Sequence, residues 1–107
     1  PDYADYLFWF HFANGSMVPA FMIEHITGAA GIPAGPSPTR GERVTEMIEA
    51  RLGEAPYFGG SEFTAADVML VLPRFGERID LAALPNTRAY VERVTARPGW
   101  QRADARR

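Results

Sequence analysis

The chain contains no cysteine. That excludes a disulfide frame, a thiolate nucleophile and any cysteine-ligated metal site, and it fits a reducing compartment. Lysine is missing too, since all eleven basic residues are arginine. Against thirteen acidic residues they leave a formal charge of −2, so the concentrated basic surface that nucleic acid requires is not there. No apolar run approaches the roughly 20 residues that cross a bilayer, and no signal peptide is visible. His11 and His25 have no Asp, Glu or Cys around them at metal-ligand spacing, and no metal is expected. Ser16 stands in no Gly-x-Ser-x-Gly motif, which removes the support for a serine hydrolase. Gly28, Gly31 and Gly35 follow no strand, so they do not form a phosphate cradle. Beginning at Pro1 rather than Met, the chain is expected to be a piece of a longer protein.

What remains is helical. With 107 residues, 47% of them hydrophobic and 22% charged, the chain is large enough for one core and one domain, residues 1–107. Asp2 and Asp5 suit the start of a helix at Tyr3. Apolar residues then recur at Tyr3, Leu7, Phe10, Met17 and Phe21, with a second face at Tyr6, Phe8, Trp9, Phe12 and Val18. Two apolar faces on one helix predict one contact with the core and another with a second domain or subunit. Pro19 predicts a kink over residues 14–19, with helix resuming as far as Glu24 or Ile26 and Ser16 or water meeting the freed backbone groups. Residues 28–38 hold three Gly and three Pro and predict a loop. Thr39 and Glu42 form a capping box for a helix that turns Val44, Met47, Ile48 and Leu52 inward and Arg40, Glu46, Glu49 and Arg51 outward. Asn86 predicts the cap of a further helix, and Pro98 the first position of another. No strand candidate stands out. The prediction is an all-α bundle of five to six helices.

The most informative stretch is residues 57–71. Thr64 as N-cap and Asp67 at N3 predict a reciprocal capping box, with the Thr64 hydroxyl accepting from the Asp67 N–H and the carboxylate from the Thr64 N–H. Phe63 and Val68 stand at staple positions. The following residues, 68–72, are apolar on every side, so this helix is expected at the centre of the fold, with a break near Pro73. Asp67 reads as structural rather than as an acid or base.

The segments Tyr57-Phe58-Gly59-Gly60 and Phe63-Thr64-Ala65-Ala66-Asp67 resemble the all-helical C-terminal domain of cytosolic glutathione transferases. So do Leu84-Pro85-Asn86-Thr87-Arg88-Ala89-Tyr90 and Ala96-Arg97-Pro98-Gly99-Trp100-Gln101-Arg102-Ala103. The run Tyr6 to Ser16 is similar to the first helix of that domain in a bacterial or fungal-type branch. The resemblance implies the substrate-binding and dimerising half of a cytoplasmic enzyme of detoxification, with glutathione as co-substrate, a hydrophobic electrophile and a homodimer. It places the thiol chemistry on a thioredoxin-like domain absent from these residues, so no catalytic residue falls on this chain. By position it implies Asn14 and Ser16 for the glutathione contact, where the family commonly has an acidic residue. It implies Phe12, Pro19, Met22, Ile26 and Phe75 for the substrate wall, and Thr64 with Asp67 for the structural capping box. The same fold also serves as a non-catalytic protein-interaction domain, and that is the alternative.

Overall fold

The computed structural model describes residues 3–33, 35–70 and 80–106. Six α-helices follow in order: α1 Tyr3–Phe12, α2 Val18–Ala29, α3 Arg40–Glu54, α4 Ala65–Leu70, α5 Pro85–Thr95 and α6 Pro98–Asp104. A π turn, Ala13–Met17, joins α1 to α2 without a break, so the described residues form five helical rods. A 3₁₀ turn, Leu81–Ala83, precedes α5 and is capped by the Asp80 carboxylate, which accepts from the Ala82 N–H at 3.2 Å. The β pairing among the described residues is one isolated bridge, Tyr57 with Gly60. The fold is all-α. The expected break at Pro73 lies outside the described residues.

Pro19 explains the π turn. It has no N–H to give, and an α-register would press its ring on the carbonyl four residues back. The backbone widens by one residue instead, and the Val18 N–H donates to the Ala13 carbonyl, five residues back. The freed groups are thus taken up by the π register rather than by Ser16, and the helix runs on to Ala29, past the expected end at Glu24 or Ile26. Its stop is Gly31 at φ +75°, where the Gly31 N–H donates to Gly28 at 3.1 Å and the Ile32 N–H to Thr27 at 2.9 Å. These two bonds are the pair by which a left-handed glycine closes a helix, so residues 28 and 29 belong to α2 and not to the loop.

The core draws on every rod but α6. Trp9, Phe12, Ala13, Met17, Ala20 and Phe21 come from the long rod, and Val44, Ile48 and Leu52 from α3. Phe58, Ala66, Leu70, Tyr90 and Val94 complete it. Each buried aliphatic or aromatic side chain of this kind is worth about 1.5–3 kcal/mol over its exposed state. Tyr3 and Leu7 are exposed, contrary to the first of the two periodic faces. The reason is that aromatic residues fill nearly every position from Tyr6 to Phe12, so spacing alone does not tell which ones turn inward. Met47 is exposed at the edge of α3, while Val44, Ile48 and Leu52, four apart, point in. Val68 is 58% exposed, so α4 is not enclosed on all sides as its apolar run suggests. Phe63 instead packs on Tyr57, with the Arg97 guanidinium 3.9 Å over its ring.

Carboxylates from one helix satisfy the start of another. At α3 the predicted box forms: the Glu42 N–H donates to the Thr39 hydroxyl at 3.2 Å and the Thr39 N–H to Glu42 at 3.4 Å. Glu24 of α2 adds a third bond there, accepting from the Gly41 N–H at 2.8 Å. At α5 the helix begins at Pro85, so Asn86 lies inside the first turn and does not cap it. The cap is Glu49 of α3, which accepts from the Asn86 N–H at 3.0 Å, the Thr87 N–H at 2.9 Å and the Thr87 hydroxyl at 2.8 Å. Burial pushes the Glu49 carboxyl up, but the bonds from Thr87 and Asn86 outweigh it and hold it below its ordinary value of 4.5. Arg51, too, is turned in: its Nε–H donates to the Phe58 carbonyl at 3.0 Å and its guanidinium lies 3.5 Å from Asp5. Glu49 and Arg51 therefore leave the solvated face predicted for them, because each has a backbone partner on a neighbouring segment.

Candidate functional site

Asp67 organises the part of the chain that positions the site. It is 3% exposed. Its Oδ2 accepts from the Thr64 N–H at 2.9 Å, while Oδ1 accepts from the Phe58 N–H at 3.1 Å and from the Tyr90 hydroxyl at 2.8 Å. The hydroxyl half of the predicted box is different. Thr64 Oγ1 accepts from the Ala66 N–H at 3.3 Å, and the Asp67 N–H donates to the Thr64 carbonyl at 3.1 Å. A tight first turn brings that carbonyl, rather than the side chain, to the N3 donor. The approach to α4 depends on two glycines. Gly60 sits at φ +136°, a conformation that a Cβ makes costly. A Cβ on Gly59 would come 2.9 Å from Thr64 Oγ1.

The Tyr90 hydroxyl is pushed well above the ordinary tyrosine range, by burial first and then by the charge of Asp67 beside it. It therefore remains a donor at all working pH. One carboxylate thus ties the 57–60 turn, the start of α4 and the middle of α5 together. Trp9 of α1 meets Phe58 with ring centroids 5.3 Å apart, and Phe58 meets Tyr90 at 5.0 Å, edge to face. The long rod is thereby held against this hub.

The outer side of the same rod forms, with α3, a groove of about 780 Å³. Phe8, Phe12, Pro19, Val44 and Met47 give it an apolar wall, and Ser16, His11, Arg40 and Arg43 give it polar groups. Of the residues expected at a site, Phe12, Ser16 and Pro19 come together here. Phe12 is also a core residue, 6% exposed, so it reaches the groove by one edge. Asn14 is exposed on the π turn but is not part of this lining. Met22 and Ile26, 50% and 58% exposed, also lie off the groove and form a separate patch four residues apart on α2. Phe75 lies outside the described residues. Reading the helix faces from sequence did not bring in Arg40, Arg43 and His11. The available signal was the spacing of residues 40, 43, 44 and 47, which is that of one helix face.

A second cavity of about 540 Å³ lies on the other flank of α3, lined by Glu24, His25, Glu42, Glu46 and Asp80 beside Phe21. Among the described residues no three His, Cys, Asp or Glu side chains are arranged to hold a metal ion. Nor is any described helix long and apolar enough to cross a membrane.

Comparison with known proteins agrees with this architecture. The fold is similar to that of a glutathione S-transferase from Pseudomonas fluorescens Pf-5, with a TM-score of 0.66 at 22% identity over 89% of this chain. The match takes in 52% of the other chain, so the present residues span about half of its length. No curated protein sequence matches. The family model described as glutathione S-transferase, C-terminal domain, matches residues 39–98, more than half of the chain. Because that match runs from the Thr39 cap of α3 through Asp67 and Tyr90 to Pro98, this chain belongs to the family of glutathione S-transferase C-terminal domains.

Proposed function

We propose that this domain is the substrate-binding and dimerising half of a cytoplasmic glutathione transferase. In this reading it is joined to a thioredoxin-like domain that holds glutathione and activates its thiol. A thiol with an ordinary pKa near 8.5 is only partly thiolate at neutral pH, so donors on that other domain must favour the charged sulfur. The thiolate attacks an electrophilic carbon, a C–S bond forms, and the bond to the leaving group breaks. The residues of this chain bind and orient; none of them touches the sulfur. Phe12 and Pro19 supply the apolar wall for the electrophile. Ser16 and Asn14, both exposed on the π turn, contact glutathione held by the partner subunit. Met22 and Ile26, standing off the groove, are assigned to the subunit contact instead of the wall.

The observation that carries this reading is the convergence of Phe12, Ser16 and Pro19 in one groove beside the π turn. π turns inside helices occur frequently at functional sites. Calorimetric titration of the full-length protein with glutathione tests it. Binding that weakens several-fold in the Asn14→Ala/Ser16→Ala variant supports the reading. A protein that takes up no glutathione overturns it and leaves a docking domain of the same fold.

A further inference from the structure

His11 stands exposed in the last turn of α1, and neither ring nitrogen has a hydrogen-bond partner among the described residues. Its ring is nevertheless held in place: half-buried Phe10 meets the imidazole edge to face, with centroids 5.2 Å apart. The imidazole lines the α1–α3 groove beside the Phe8 and Phe12 rings, which stack with centroids 6.0 Å apart. The remaining polar side chains of the described lining are Ser16, Arg40 and Arg43. A serine hydroxyl and a guanidinium give hydrogen bonds but keep their protons at neutral pH. Imidazole is the side-chain type that gives a proton up and takes it back there. Glu24 and Glu42 stand not in this groove but in the cavity that shares Ala20, Arg40 and Arg43 with it. Both are occupied, Glu24 by the Gly41 N–H and Glu42 by the Thr39 N–H and the Ser37 hydroxyl. The groove thus sets one proton-transfer group beside an aromatic wall.

We infer that His11 is the proton donor to the oxygen of an aryl epoxide bound on Phe8 and Phe12 while glutathione attacks it. The inference rests on the reading of the domain as half of a glutathione transferase, and it names the class of electrophile. The sulfur forms a C–S bond with one epoxide carbon, and the C–O bond of that carbon breaks. The electron pair of the broken bond stays on oxygen, which takes the proton of the imidazolium N–H and becomes a hydroxyl. Solvent then returns a proton to the neutral imidazole. A halide leaves as a stable anion and has no use for that proton. An alkoxide is a strong base and gains much from an acid placed beside it. Arg40 and Arg43 of α3 are the charged groups that share the groove with the imidazole, and α2 contributes none to the described lining. Because both hold their charge throughout, the pH dependence of proton donation within the groove comes from His11.

The test compares styrene oxide with benzyl chloride, which share a phenyl body, in glutathione conjugation by the full-length protein. Both need the same thiolate, so the ratio of the two rates cancels its ionisation. The epoxide-to-chloride ratio is expected to fall as the pH rises and the imidazolium loses its proton. At neutral pH it should fall about a hundredfold in His11→Gln. A structural loss at the groove would slow both compounds together and leave the ratio where it was. In His11→Ala, added imidazole should restore part of the epoxide rate. A ratio that ignores pH and survives His11→Gln overturns the inference and leaves the transferase reading standing. No turnover of either compound, in a protein that takes up no glutathione, removes that reading and this inference with it.

Discussion

At the scale of single residues, the heaviest demand falls on Asp67. Three donors from three segments converge on its buried carboxylate; the bonds from Phe58 and Tyr90 are buried and the one from Thr64 is half-buried. Removing the carboxylate leaves the Phe58 N–H and the Tyr90 hydroxyl without their partner in the interior, and frees the half-buried Thr64 N–H as well. Each buried donor left unsatisfied costs about 1–3 kcal/mol. Asp67→Ala is therefore expected to destabilise by about 3 kcal/mol or more, while Tyr90→Phe, which removes one donor and leaves the carboxylate its other two, costs about 1 kcal/mol. Chemical denaturation of the two single variants and the double variant checks this. Since the residues touch, the double variant should lose less than the two single losses added. Strict additivity would show that Tyr90 is held by its ring contacts rather than by its hydroxyl.

At the scale of helices, the N-termini of α3 and α5 are both held by carboxylates from other helices, Glu24 and Glu49. Glu49 has a measurable signature. Its folded pKa lies below the ordinary value of 4.5. Its contribution is thus complete above the unfolded value and disappears as the pH falls through the folded one. Urea denaturation of the native protein and of Glu49→Gln should differ by about 1 kcal/mol at neutral pH, and the gap should close as the solution is acidified below 4.5. A gap that stays constant through that window would mean the clamp acts by packing alone. The clamp also shows what sequence could reveal. The Thr39–Glu42 box and the Asp67–Thr64 bond are legible because donor and acceptor stand three residues apart. Glu49 reaches Asn86 and Thr87 across 37 and 38 residues, so local spacing points to Asn86 as the cap. In the same way Pro19 announces an irregularity, but not that a π turn will absorb it. The groove was half legible: Phe12, Ser16 and Pro19 share a helix, whereas Arg40 and Arg43 join them only when α3 packs alongside.

At the scale of the molecule, the question is what covers the apolar residues that the bundle leaves outside. Met22, Ile23 and Ile26 are each about half exposed on α2, and Ile32 follows at 55%. Scattered exposed apolar residues need no explanation, but Met22 and Ile26 stand one turn apart on one face of α2, while Ile23 and Ile32 line a cavity beside it, and a paired apolar face of this kind marks an association surface. Met22 and Ile26 lie off the α1–α3 groove and off the cavity that shares Ala20, Arg40 and Arg43 with it, so a second copy docked on those two would leave the groove open to ligand. Burying large aliphatic side chains of this size contributes about 1.5–3 kcal/mol each when complete. A carboxylate forced into the same interface must instead lose its water without a partner. Met22→Asp with Ile26→Asp is therefore expected to convert a dimer of the full-length protein into monomers in sedimentation velocity. The helical circular dichroism should not change, because both side chains already face solvent in the isolated domain. A dimer that withstands both charges would place the subunit contact on another face, and the groove itself would then be the first to examine.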